Sequence, residues 1–144
     1  MQRLIVDGAR TRHNHEGRLT GRLKRLLQID SLFIAVSGSA TAAFSAPLAS
    51  FLGVDEPRVL VGLGVVVLPY AGALFYGAGR QPLNPRLAIL AGTLNMVWTT
   101  GSVLVALARW PPLTDQGKWS VIALAAIVGL LGALQLFTAY RLLR

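Results

Sequence analysis

Residues 32–52 read LFIAVSGSATAAFSAPLASFL, twenty-one consecutive residues without an ionisable side chain. As an α-helix this stretch spans roughly 31 Å, which is the thickness of the hydrocarbon core of a bilayer. Three further apolar stretches follow it along the chain. The pattern predicts an all-α, polytopic membrane protein whose four transmembrane helices form an up-down bundle.

The predicted transmembrane domain covers residues 30–144, with spans at residues 31–52, 59–79, 86–108 and 119–140. Residues 1–29 are predicted to be a cytoplasmic polar tail that ends in a basic segment. Leu19, Leu23, Leu26 and Leu27 fall on one helical face there, which predicts a short amphipathic helix lying in the headgroup layer. The alternative is an ordinary basic flank of the first span. In either case the residues expected to contact anionic lipid are Arg18, Arg22, Lys24 and Arg25.

The composition excludes several classes of site. Of 144 residues, 53% are hydrophobic and 14% are charged, whereas a soluble domain carries about 25% charged residues. The absence of cysteine excludes disulfides, thiolate metal sites and iron–sulfur clusters. His13 and His15 both lie in the polar tail, where a metal site would need further ligands. We therefore expect no metal and no cofactor.

The net charge is +8, and the basic residues flank the apolar spans. This distribution is typical of membrane topology, so we expect no nucleic-acid partner. If both termini share one side of the membrane, that side carries eleven Lys or Arg residues and the other side carries three. Basic residues are retained on the cytoplasmic side of membrane proteins. The sequence therefore predicts a multi-pass protein of the inner (plasma) membrane with both termini in the cytoplasm.

Asp30 lies at the predicted start of the first span, and two interpretations are open. A carboxylate deep in the bilayer would suggest a proton or cation site. A carboxylate at the membrane boundary would instead cap or complete the first helical turn, with Arg25 nearby. The boundary position favours the cap. Near the other end of the span, Pro47 is predicted to bend the helix.

Polar and small residues follow one face of the third span, where Asn95 lies near the bilayer centre and needs a hydrogen-bonding partner. The fourth span carries a face of small residues, and the second span has a proline at its centre that predicts a kink. The candidate helix-packing or ligand-contacting residues are Pro69, Tyr70, Gly92, Asn95, Trp98, Thr99, Ser102, Ala125, Gly129, Ala133 and Gln135.

Three short motifs are similar to those of small bacterial four-helix integral membrane proteins that have no established activity. They are Leu68-Pro69-Tyr70-Ala71, the N-x-x-W motif Asn95-Met-Val-Trp98, and Leu113-Thr114-Asp-Gln-Gly117. The resemblance extends from about Leu26 to the end of the chain. It implies four membrane helices, and it carries over no catalytic residue.

No catalytic constellation is recognisable, so we expect no enzyme. The small-residue faces favour a structural or accessory role, as a subunit of a larger membrane complex or as a homo-oligomer. One alternative is a small transporter or channel for a small solute. Four-helix multidrug exporters resemble this chain in length class, but they use a Glu embedded in the first helix, and Asp30 is expected at the edge. Another alternative is a pigment-, quinone- or lipid-binding subunit with Trp98 and Tyr70 as walls.

Overall fold

A computed structural model of the chain describes residues 2–108 and 112–143, with side chains from residue 17 onward. The helices in these ranges are α1 (Gln2–Ala43), α2 (Ser45–Leu52), α3 (Pro57–Gly79), α4 (Pro85–Ala108) and α5 (Asp115–Leu142). Four are long and apolar enough to cross a membrane: the Gly17–Ala43 part of α1, then α3, α4 and α5. The predicted all-helical, four-span architecture is confirmed. The last three helices begin and end within four residues of the predicted spans.

The first membrane helix differs from its predicted bounds, because α1 runs without interruption across residues 29 and 30. The helix therefore shows no break between the predicted basic segment and the first span. Leu23 and Leu27 are completely buried, and they form one core cluster with residues of α3, α4 and α5. The leucine face of the basic segment thus packs against the other helices. His13 and His15 lie outside the described side chains.

The predicted bend near the end of the first span is present, and it begins before the proline that causes it. Pro47 has no N–H to donate, and its ring clashes with the carbonyl of the residue four positions earlier, which is Ala43. Accordingly α1 ends at Ala43, and α2 begins at Ser45 after the single residue Phe44. Pro69 lies inside α3 and does not interrupt that helix.

The long helices pack as two close pairs, α1 with α3 and α4 with α5. In the first pair, a Cβ added to Gly38 would lie 2.9 Å from the carbonyl oxygen of Gly64. In the second pair, a Cβ added to Gly92 would lie 2.9 Å from the carbonyl oxygen of Gly132. Glycine permits this approach of backbones, which holds helices together where lipid removes the hydrophobic driving force. The two pairs meet mainly between α1 and α5, while α3 and α4 make little contact.

One end of the bundle, which we call the basic end, contains the start of α1 and the end of α5. The core cluster lies there and joins all four long helices; it consists of Leu23, Leu27, Leu74, Ala78, Ala88, Ala91 and Ala139. The basic residues described at this end are Arg18, Arg22, Lys24, Arg25, Arg80, Arg86 and Arg141. At the opposite end, the acids Asp55 and Glu56 lie between α2 and α3, and Asp115 begins α5.

At that opposite end, Thr114 ties α2 to α5. Its hydroxyl accepts a hydrogen bond from the N–H of Gly117 at 2.9 Å, which caps α5, and donates one to the carbonyl of Phe51 at 2.6 Å. The Thr114 N–H also donates to the carbonyl of Leu52 at 2.9 Å. Gly117 allows the contact, because a Cβ there would lie 2.8 Å from the Cα of Leu52.

Replacement of Gly64 tests the close approach of α1 and α3. In a Gly64→Leu variant the side chain would meet the backbone of Ala42 and Gly38, so we expect a loss of about 1–3 kcal/mol in unfolding free energy. The matched control is Gly62→Leu on the same helix, where an added Cβ has no neighbour within 4 Å. Reversible unfolding in mixed micelles measures both, and equal stabilities would contradict the packing.

Candidate functional site

Three polar side chains from three different helices meet inside the bundle. Asp30 of α1 and Gln135 of α5 are 0% exposed, and Asn95 of α4 is 4% exposed. The Oδ2 atom of Asp30 accepts hydrogen bonds from Gln135 Nε2 at 2.8 Å and from Asn95 Nδ2 at 2.9 Å. Asn95 Nδ2 also lies 3.3 Å from Gln135 Oε1, as a weaker donor contact. We call these three residues the polar cluster.

The polar cluster lies within the membrane-crossing part of the bundle. Asp30 is five residues beyond Arg25 on α1, or about 8 Å along the helix axis. Gln135 is six residues before Arg141 on α5, or about 9 Å. Both distances run inward from the basic end. The cluster therefore lies inside the helices that are long and apolar enough to cross a membrane, in the half nearer that end.

The interpretation of Asp30 as a helix cap is wrong. A cap satisfies the free N–H groups of a first helical turn, whereas Asp30 lies in the interior of an unbroken α1. The expected contribution of Arg25 is also not made: its side chain is exposed, and no described Lys or Arg forms an ion pair with Asp30. The side chain of Asp30 instead faces α4 and α5.

Among the described residues, two buried side-chain oxygen atoms make no hydrogen bond: Oδ1 of Asp30 and the hydroxyl of Tyr70 on α3. Tyr70 packs against the core cluster. The neighbouring hydroxyl of Ser31 is not a donor to Asp30, because it donates to the carbonyl of Gln28 at 2.8 Å. One oxygen of the carboxylate is therefore held by two amides and the other remains available.

The chemistry of such a group follows from its surroundings. An ionised carboxylate in hydrocarbon without a cationic partner is costly, and two amide donors offset only part of that cost. A proton or a small cation at Oδ1 neutralises the charge. The arrangement therefore favours binding of H⁺ or of a small monovalent cation at Asp30.

Close contact between α4 and α5 positions the two amides. A Cβ added to Gly132 would lie 2.9 Å from the Cβ of Asn95, so only glycine lets α5 approach Asn95 this closely. About one turn further along α4, the Thr99 hydroxyl donates to the carbonyl of Ala125 at 3.1 Å. A Cβ on Gly129 would lie 3.2 Å from that same hydroxyl. These contacts fix the register in which Asn95 reaches Asp30.

The structure brings most of the predicted residues together and leaves some out. Those that lie in or beside the α4–α5 contact are Gly92, Asn95, Thr99, Ala125, Gly129 and Gln135. Ser102 is partly buried, and Pro69 and Ala133 are exposed. Trp98 is 44% exposed on the outer surface of α4, so it does not join Tyr70 inside the bundle. On α5 the small residue that contacts α4 is Gly132, and the next residue, Ala133, points about 100° away around the helix.

Sequence reasoning missed the burial of Asp30 and the role of Gly132. The sequence contains a signal for the burial of Asp30. Spacings of four, three and four residues separate the members of the series Leu23, Leu27, Asp30 and Ile34. This is the spacing of a single helical face, which places Asp30 on the same inward side as the leucines. The basic residues just before it concealed the pattern.

Comparisons of the chain with models of protein families, with curated proteins and with solved structures found no match. Its function is therefore inferred from the geometry of Asp30 and its neighbours.

Thiol labelling tests the burial of Asp30, since the chain contains no cysteine. Asp30→Cys in permeabilised membranes is expected to react with a water-soluble maleimide about tenfold or more slowly than Asp55→Cys, because amides and side chains in a packed core are reached only through opening. The control is labelling after denaturation, where both variants react alike. Equal rates in the native protein would place residue 30 at the water boundary.

Proposed function

We propose that the protein is a small membrane transporter in which Asp30 binds and releases the transported or coupling ion, H⁺ or a small monovalent cation. The supporting observation is a carboxylate that is 0% exposed, lies inside a membrane helix and keeps one oxygen without a partner. Ionisable residues in such positions are costly and mark ion pathways and proton relays. The position of Asp30 is what moves transport ahead of the accessory role favoured by the sequence.

The groups around Asp30 support a single exchange site. Asn95 and Gln135 face it from α4 and α5, and Tyr70 of α3 packs against the adjoining core cluster. Among these, Asp30 is the only carboxylate and therefore the only side chain that offers a negative charge to H⁺ or a cation. A bound proton or cation at Oδ1 cancels that charge while both amides keep their hydrogen bonds to Oδ2. The cluster thus holds together in the loaded and in the empty state.

Movement between the two helix pairs gives access to Asp30. Each pair is locked internally by contacts through glycine, at Gly38 with Gly64 and at Gly92 with Gly132. The polar cluster lies where the pairs meet, with Asp30 on one pair and both amides on the other. Rocking of one rigid pair against the other alternates access to such a site in transporters. Exchange of hydrogen bonds at Asp30 accompanies this motion.

The same proposal includes a membrane and an orientation. The basic end faces the cytoplasm of a bacterial cell, so both termini are cytoplasmic and the membrane is the inner (plasma) membrane. The segregation of Lys and Arg at that end, away from Asp55, Glu56 and Asp115, supports this orientation. The relation to small bacterial four-helix membrane proteins is proposed on the three motifs alone. The hydrogen bonds of Thr114 supply a structural reason for the motif that contains it, residues 113–117.

An accessory role is the second candidate, and one face of α3 favours it. Cβ atoms added to Gly62 and Gly72 would meet nothing within 4 Å. Small residues on a membrane-facing surface permit close approach of another helix. A partner subunit or a second copy of the chain fits this face.

Ion flux into proteoliposomes tests the proposal. Vesicles that contain a pH-sensitive dye report H⁺ entry under an imposed membrane potential, and ²²Na⁺ uptake provides the cation arm. Asp30→Asn keeps the size and the acceptor of the side chain but removes its charge, so we expect flux to fall about tenfold or more. Asp55→Asn, which changes an exposed acid of the opposite end, is the matched control and should retain wild-type flux.

Unchanged flux in Asp30→Asn would overturn the role of Asp30. Absence of H⁺ and Na⁺ flux in the wild-type protein, together with a stoichiometric partner in native mass spectrometry, would support the accessory role instead. A stoichiometric pigment or quinone in the same spectra would support a binding subunit.

A further inference from the structure

A groove of about 350 Å³ lies between α1 and α5 at the basic end. Arg22 and Arg25 of α1 and Arg141 of α5 lie along it, together with the apolar side chains of Leu26, Ile29 and Leu134. Arg22, Arg25 and Ile29 are exposed, so the groove opens to the surface of the bundle. It is separate from the polar cluster, which is enclosed.

The three arginines of the groove have no anionic partner among the described side chains. The ion pair found among the described residues joins Arg58 to Glu56, at the opposite end of the bundle. The guanidinium of Arg141 lies over the ring of Phe137, 4.4 Å from its centroid, which fixes the side chain beside the groove. Three guanidinium groups thus line the two walls of the groove without an ion pair to any described side chain. Guanidinium groups bind phosphate with two parallel hydrogen bonds each.

The groove changes from charged to apolar along its length. Because α1 and α5 run in opposite directions, Arg22 lies toward the same end as Arg141, and Ile29 lies toward the same depth as Leu134. On each wall, seven residues separate the arginine from the apolar residue, which is about 10 Å along the helix. The charge therefore lies at the membrane surface and the apolar part runs into the hydrocarbon.

We propose that this groove binds one anionic phospholipid, with its phosphate on Arg22, Arg25 and Arg141 and an acyl chain along Leu26, Ile29 and Leu134. The charged end of the groove fits the phosphate of a phospholipid, and its apolar end fits an acyl chain. A soluble anion would occupy only the charged end. A second apolar helix is a poor occupant, because it leaves three charges unpaired. The site is more specific than the diffuse lipid contact expected from Arg18, Arg22, Lys24 and Arg25.

Native mass spectrometry in mild detergent measures the binding directly. Phosphatidylglycerol and phosphatidylcholine with identical acyl chains are titrated onto the wild-type protein, and we expect one phosphatidylglycerol to be retained in preference. The triple variant Arg22→Gln/Arg25→Gln/Arg141→Gln should bind it about 100-fold more weakly, at about fivefold for each arginine. The matched control is Arg18→Gln/Lys24→Gln/Arg86→Gln, which removes three basic groups of the same end outside the groove and should stay within about fivefold of wild type.

A second variant and a competitor test the apolar half of the groove. Ile29→Trp fills the inner part of the groove on an exposed position, and it should weaken phosphatidylglycerol binding while leaving the melting temperature unchanged. Glycerol 3-phosphate and inorganic phosphate should not displace the lipid. An equal loss of phosphatidylglycerol binding in both triple variants would overturn the site, because it would indicate diffuse attraction of the lipid to all the basic residues of this end. Displacement by inorganic phosphate, equal retention of phosphatidylcholine, or a dimer broken by Ile29→Trp would each overturn the proposed occupant.

Discussion

A carboxylate inside hydrocarbon must be hydrogen-bonded or neutralised, and this requirement governs the structure around Asp30. The oxygen Oδ2 is satisfied only when Asn95 and Gln135 approach together from α4 and α5. The polar cluster therefore connects the α1–α3 pair to the α4–α5 pair at a depth where apolar contact alone gives little specificity. It acts together with the apolar core cluster, which also joins the two pairs at the basic end.

The polar cluster forms because backbones approach closely elsewhere in the bundle. Without a side chain at Gly132, α5 comes near enough to α4 for Asn95 to reach both Asp30 and Gln135. Gly38 and Gly64 have the same role between α1 and α3. The packing is thus tight within each pair, and the polar cluster joins the two pairs together with the apolar core cluster.

The sequence predicts the four membrane helices, because length and apolarity determine them directly. It also predicts Asn95 and Gln135 as inward polar groups, and Pro47 as the cause of a bend. It fails for Asp30, since basic residues just before the carboxylate suggest the membrane surface, whereas the helix continues through that region and buries Leu23 and Leu27. The structure leaves Ala133 and Trp98 exposed, and spacing alone does not show which of two adjacent helical faces meets another helix of the bundle. That choice is made by contacts between helices distant in sequence.

The free energy of the bond between Asp30 and Gln135 tests the account most directly. A double-mutant cycle with Asp30→Ala, Gln135→Leu and the double variant isolates this term from the separate effects of each change on the bundle. Reversible unfolding in mixed micelles, with steric trapping or denaturant, supplies the four free energies. The account predicts a favourable coupling of about 1 kcal/mol or more, at the upper side of the values known between membrane helices. Additivity of the two single changes within about 0.3 kcal/mol would show that Asp30 does not hold the two helix pairs together.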